Sequence, residues 1–302
     1  MGGKRLIAVL MTALFTAGAA ALTGCGVVTG TPAEALPAGH SPERTYTVGV
    51  RTLTLDPTSD RPLPVTIWYP RGSAGVATGR FPVVLYSHGL HSLPELHAEL
   101  TSRWAAAGFV VAAPAYPHTN RFATRFNRAD VRHQPADAWR VIRHLGQLNT
   151  RRGDPLAGHL DVTRVGAAGH SAGGYTTAGM FTAGHPARLR SGIVIAGGAR
   201  PGSLTGPARP MLFVHGTADP IVTEAVGRAA HHRVRGPSAF LSLLGQGHGE
   251  YLNPGRPGFA QVLATTTDFL RWTLYGDQSA RTRLPTDARL PGVTTYDTRP
   301  TW

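Results

Sequence analysis

The sequence predicts an α/β fold: a mostly parallel central sheet flanked by helices on both faces. Three observations carry this expectation. Uninterrupted apolar runs of strand length recur, as in "FPVVLYSHG", "FVVAAPAY" and "PMLFVHG", and strands buried on both faces read this way. Between them stand segments with apolar residues at helical spacing, such as Ala138, Val141, Ile142, Leu145 and Leu148. The two kinds of segment alternate over one long stretch, which argues for parallel strands joined by crossover helices.

In chain order, "YTVGVRTLTL" and "PVTIWYP" alternate β-branched and aromatic residues and read as early strands. "FPVVLYSHG" is the first fully buried strand. Leu96, Leu100 and Trp104 lie four apart on a helix that Gly108 ends. "FVVAAPAY" is the next strand, and the helix carrying Ala138 to Leu148 follows it. "VTRVGAAGH" then reads as strand and "SAGGYTTAGMF" as helix. "SGIVIAGG", "PMLFVHG" and "SAFLSLLG" read as further strands, with a helix near 222–231 before the last. A helix from about Phe259 to Leu274 closes the pattern, and residues 278–302 lack a clear period and are expected to form a tail laid over the domain or left loose.

The 302 residues are 42% hydrophobic, enough for one large domain with a substantial core. The formal net charge is +13, and Lys4 is the only lysine, so arginine carries almost all of the positive charge. Arg103, Arg121, Arg125, Arg128, Arg140, Arg188 and Arg190 are scattered and form no dense run. They read as a solvated basic surface, with weak attraction to anionic lipid or cell-wall polymer as the alternative. No aromatics interleave with a basic run, so no nucleic-acid partner is expected. No metal-ligand spacing stands out among the 14 histidines, and phosphate-binding glycine loops are missing, so neither metal nor cofactor is expected.

Lys4 and Arg5 precede an apolar stretch from Leu6 to Leu22, then "LTGC". A basic start followed by an apolar segment reads as an export signal. The ending at Cys25 resembles the lipobox of bacterial lipoproteins, which implies lipidation of that cysteine, an export signal over 1–24 and an exported, membrane-anchored protein. An uncleaved spanning anchor is the alternative. Cys25 is the only cysteine, which excludes an intrachain disulfide and a cysteine nucleophile in the folded domain. Residues 25–44 are rich in glycine, proline and small residues and read as a flexible tether.

The chemistry concentrates at "GHSAGG", where Ser171 stands between a strand and a helix, with Gly169 and Gly173 on either side. In that context the pattern G-x-S-x-G makes a sharp turn that holds the hydroxyl outward, at a helix N-terminus that favours negative charge. A serine hydroxyl needs a base, and the base needs a group to orient it. In this topology the acid and then the histidine follow the serine along the chain. Asp219 in "MLFVHGTADP" and His248 in "FLSLLGQGHGEY" each fall just past a strand end. Asp154 and Asp161 come too early, Glu224 and Asp268 lie on helices, and Glu250 shares the His248 loop. His231 and His232 read as surface residues of a helix end. The oxyanion donors expected are the amides of Ala172 and Leu90, with His88 as a structural histidine of the Leu90 turn.

The motifs "VTIWYP", "PVVLYSHGL", "GFVVAAPAYPHTN", "QPADAWRVIRHL", "GHSAGGYTT", "HGTADPIV" and "TTDFLRWTLYGD" resemble those of the α/β-hydrolases. Within that superfamily the chain is similar to bacterial relatives of platelet-activating-factor acetylhydrolase, a group that merges with dienelactone-hydrolase-like and polyester-hydrolase-like proteins. The resemblance spans roughly residues 45–277, the expected catalytic domain. It implies a Ser171, Asp219, His248 triad, an oxyanion hole at Leu90 and Ala172, and small acyl groups on a lipid-like alcohol. Dienelactone hydrolases carry cysteine where Ser171 stands. Leu90 and "IVIAGGARP" do not supply the aromatic residues of polyester hydrolases, which makes polymer substrates less favoured. The expectation is a serine carboxylesterase. An acyltransferase or polyester hydrolase on the same triad, or a non-catalytic surface binding lipoprotein, are the alternatives. Residues 117–134 are the expected variable loop over the cleft.

Overall fold

A computed structural model describes residues 39–299. The expected export signal at 1–24, Cys25 and most of the expected tether lie outside the described residues.

Strand β1 (Thr47–Leu55) pairs antiparallel with β2 (Leu63–Gly72), whose end folds back through the two-residue β3 (Gly75–Val76). Then come β4 (Phe81–Ser87), α1 (Ala98–Ala106), β5 (Val110–Pro114), α2 (Gln134–Thr150), β6 (Leu160–His170) and α3 (Ala172–Met180). The second half holds β7 (Leu189–Ile195), β8 (Met211–Gly216), α4 (Glu224–His232), β9 (Ser238–Leu243), α5 (Phe259–Leu270), α6 (Gln278–Asp287) and β10 (Thr294–Thr298). The sheet order is β1-β2-β5-β4-β6-β7-β8-β9-β10. From β5 to β9 all neighbours are parallel, and antiparallel strands close both edges. The expected α/β-hydrolase fold is the observed one.

The apolar runs make the sheet two-sided. Along β4, Val83 and Leu85 pack into one cluster with the apolar face of α2, while Val84 and Tyr86 pack into the other with Leu100 and Trp104 of α1. Side chains alternate across a strand, so a run apolar at every position must be covered on both faces. Helices α2, α3 and α4 contribute to the first cluster, and α1, α5 and α6 to the second.

Three expectations are corrected. Residues 278–299 are neither loose nor merely laid over the domain: α6 buries Leu284, and β10 joins the sheet, pairing with β9 from Thr294↔Leu243 to Thr298↔Ala239. The segment lacks period because only Ala280, Leu284, Ala288 and Tyr296 of these two elements and their junction are both apolar and buried. The end of the expected tether is packed: the Ser41 hydroxyl donates to Asp277 at 2.6 Å, and the Gly39 amide to the Tyr275 carbonyl at 2.9 Å. His231 is buried, not a surface residue, with its ring set edge-on against Phe213 and Phe240.

Between β4 and β6 the connections leave in different directions: β4 passes through α1 to β5 on one side, and β6 through α3 to β7 on the other. Open α/β sheets bind ligands at such a switch point, beyond the carboxyl ends of the strands. Leu90 follows β4 and Ser171 follows β6, so both stand at this crevice.

Candidate active site

Ser171 stands between the end of β6 and the start of α3, as the residue that caps the helix, with φ 56° and ψ −119°. A non-glycine residue held there costs on the order of 1–3 kcal/mol, a strain that persists only where surroundings impose it. The surroundings are explicit. The Ser171 amide donates to the Ile195 carbonyl at 2.9 Å. A Cβ on Gly169 would strike the Gly173 carbonyl, and one on Gly173 would strike the Ser87 carbonyl. Only glycine at both positions lets α3 start this close to β4.

Asp219 stands past the end of β8 and His248 past the end of β9, on neighbouring strands. The His248 ring spans the gap: Nε2 lies 2.8 Å from the Ser171 hydroxyl and Nδ1 2.7 Å from Asp219 Oδ2. Asp219 is buried, and its other oxygen accepts from the Ile221 amide at 2.8 Å and the Val222 amide at 3.0 Å. Burial opposes ionisation of Asp219, but the bonds from His248, Val222 and Ile221 outweigh it and hold the carboxyl below its ordinary range. A carboxylate so placed keeps a proton on Nδ1 and leaves Nε2 free to accept one from the serine.

The other acids are engaged elsewhere. Asp154 meets Arg51, Asp161 meets Arg164, Glu224 meets Arg228, and Asp268 meets Arg271 and Arg283. Glu250 accepts from the Gly249 amide at 3.2 Å. None of these carboxylates bonds to the His248 ring.

His88 is fully buried, with Nδ1 2.6 Å from the Gly89 carbonyl and Nε2 accepting from the Tyr116 amide at 3.1 Å. Burial pushes its pKa down to about 4, so the ring is a neutral strut for the Leu90 turn. The expected variable loop secures that turn. The His91 amide donates to the Thr119 carbonyl, Ser92 bridges to Asn120, and the Phe126 ring stacks on His91 at 3.9 Å. Arg61 in turn grips Asp130 through both terminal nitrogens at 2.8 Å and also meets Asp137.

Sequence reasoning did not single out His170, His97 or His215. His170, within the motif itself, donates from Nε2 to the His248 backbone carbonyl, and burial pushes its pKa down to about 4. His97 is held between the Tyr86 hydroxyl at 2.9 Å and the Ser92 hydroxyl at 3.1 Å. His215 lies beneath Asp219, with Nε2 2.7 Å from the Val222 carbonyl. The position of His170 beside Ser171 was the one available signal for any of them.

Ser171, Ala172, Leu90 and His248 line one cavity of about 780 Å³. Ala172 opens α3, so its amide has no acceptor within the helix.

The family described as platelet-activating factor acetylhydrolase, isoform II, matches residues 71–152, and the family described as TAP-like protein matches residues 196–270. Both are α/β-hydrolase families, and with the ten-stranded sheet they make this chain an α/β-hydrolase. It is a serine hydrolase acting on esters. Asp219 and His248 fall inside the second match, and Ser171 falls between the two. No curated protein matches the chain.

Proposed function

We propose that the protein hydrolyses carboxylic esters through an acyl-enzyme on Ser171. The observation that carries this reading is the continuous hydrogen-bonded chain Ser171–His248–Asp219 at the cavity wall. Ser171 Oγ attacks the ester carbonyl while His248 Nε2 takes its proton. The Leu90 and Ala172 amides receive the oxyanion, and each such donor is worth roughly 10²–10³ in rate. Collapse expels the alcohol, which leaves with the proton from His248. Water repeats the sequence and releases the acid. Asp219 holds the ring and stabilises its cation throughout.

The substrate class comes from the family likeness: a matching family is named for an acetylhydrolase, which favours short acyl groups on a lipid-like alcohol. Turnover of p-nitrophenyl esters is expected to peak from acetyl to butyryl and to fall at about eight carbons or more, since each methylene left outside the pocket forfeits up to about 0.8 kcal/mol. Rising activity towards palmitoyl esters would make a lipase the better reading. The direct test of the chemistry is a fluorophosphonate probe with peptide mapping. Label is expected on Ser171 in the wild type and on no residue in Ser171→Ala.

The same reading places the protein outside the cytoplasm, anchored through lipid on Cys25. Support comes from the apolar segment Leu6 to Leu22 and the "LTGC" that follows it. Cys25→Ala is expected to move the protein from the membrane to the soluble or secreted fraction and to abolish palmitate labelling. Membrane retention of the variant with residues 1–24 attached would favour a spanning segment.

A further inference from the structure

The end of the sheet opposite Ser171 carries a second cavity, of about 500 Å³, lined by Ala187, Arg190, Arg209, Pro210, Trp272 and Thr273. Strand β7 separates it from the first: Arg190 stands at the start of the strand, and Ile195 at its end accepts from the Ser171 amide. Positive side chains gather at this second cavity. The Arg281 guanidinium stacks over the Trp272 ring at 5.0 Å. Arg190 donates to the Thr163 carbonyl and Arg209 to the Ala187 carbonyl, each at 3.3 Å. Arg209 also lines a shallow cleft with Arg235, so the row continues along the surface.

None of these four arginines forms an ion pair among the described residues, and no aspartate or glutamate lines either concavity. The carboxylates that flank Thr163 and Trp272 along the chain are already engaged. Asp161 meets Arg164, Asp268 meets Arg271 and Arg283, and Asp277 accepts from Ser41 and Ser279. Cations without counter-charges sum to a positive potential over this end of the domain.

The chain leading from Cys25 enters the domain at the same place. The Gly39 amide donates to the Tyr275 carbonyl and the Ser41 hydroxyl to Asp277, about one turn beyond Trp272 and Thr273. Fourteen residues, Cys25–Ala38, lead to that point, and a chain of that length reaches at most about 50 Å. A surface that holds Cys25 therefore keeps the basic end of the domain close to it. Guanidinium groups beside an indole match the edge of a bilayer, where phosphates meet the cations and an amphipathic ring lies at headgroup depth.

We propose that Arg190, Arg209, Arg235 and Arg281, with Trp272, form a docking face for an anionic phospholipid surface, so that Ser171 opens away from the bilayer and esters reach it from the aqueous side. The assignment adds to the anchor read at Cys25, and its test is made without that anchor.

Full-length Cys25→Ala protein from the soluble fraction is sedimented with vesicles of phosphatidylcholine, either alone or mixed with phosphatidylglycerol. Binding is expected to be about tenfold or more tighter on the anionic vesicles at low salt, and to fall away in about 0.5 M salt. In that background Arg190→Gln/Arg209→Gln/Arg235→Gln should lose about tenfold of the affinity. Arg121→Gln/Arg125→Gln/Arg128→Gln removes the same charge at the Ser171 end and should retain it. Hydrolysis of 4-nitrophenyl acetate should be unchanged in the first triple variant and unchanged by vesicles. Equal binding to both kinds of vesicle, or equal loss in the two triple variants, overturns the proposal. Equal affinity for soluble poly(glycerol phosphate) at matched phosphate would make the occupant a polymer and overturns it too. Inhibition by anionic vesicles would set the Ser171 cavity against the bilayer and overturn the orientation. Palmitate labelling of the wild type tests the Cys25 reading separately, whatever the vesicle preference.

Discussion

His170 Nε2 donates to the backbone carbonyl of His248, so the residue before Ser171 holds the loop that carries His248. The two rings are 4.9 Å apart, and the His170 side chain is so close to Gly249 that a Cβ there would lie 2.9 Å from Nε2. The arrangement couples the turn after β6 to the loop after β9, which are not neighbours in the sheet.

That contact makes His170 a positioning residue. His170→Ala should lower kcat by about 10- to 100-fold with little change in KM, because small displacements of a reacting group cost rate on that scale. His170→Gln, whose amide can still donate from a similar place, should recover much of the loss. Equal loss in both variants, with KM rising in parallel, would mean that the ring only fills space.

The 2.8 Å contact between Ser171 and His248 predicts strong non-additivity. Ser171→Ala and His248→Ala should each reduce kcat by on the order of 10⁴- to 10⁶-fold, and the double variant by little more than either. Stopped assays on all three variants check this. Multiplied losses would show that the two act independently.

Buried neutral histidines set an acid limit. Burial pushes His88, His170 and His231 each down to about 4. In the unfolded chain these rings protonate near pH 6.5. Between those values the unfolded state binds more protons, so stability falls as pH falls, by about 1.4 kcal/mol per pH unit for each histidine. The thermal midpoint should be flat above about pH 7 and drop steeply from about pH 6.5 to 4. His231→Leu, far from Ser171, should make the drop shallower, and an unaltered slope in that variant would remove the explanation.

The C-terminal segment is part of the core, so its loss should be felt throughout the domain. Leu284 is fully buried among residues from both α5 and the sheet. Leu284→Ala should cost about 2–5 kcal/mol and lower the thermal midpoint by about 5 °C or more. Calorimetry checks it; a shift within about 1 °C would return residues 278–299 to the status of an accessory tail.

Much of the fold and most of the candidate site are legible in the sequence. The apolar runs of β4 to β9 are nearly continuous, so their burial on both faces follows from composition alone. That Ser171, Asp219 and His248 meet is legible because each follows a strand end in the order Ser, Asp, His. Gly169 and Gly173 were legible because a tight turn admits few other residues.

Tertiary structure decided the rest, because those features depend on partners distant in the chain. Whether residues 278–299 belong to the core depends on the free edge of β9, which offers backbone donors and acceptors to any passing strand, and the segment carries no period of its own. Whether His231 is exposed depends on Phe213 and Phe240 closing over it. His170 shows the limit most directly: one residue from Ser171 in sequence, it owes its role to a carbonyl 78 residues away. Periodicity and turn chemistry are local and can be read along the chain. Which buried donor meets which acceptor is settled only when the sheet brings their loops together.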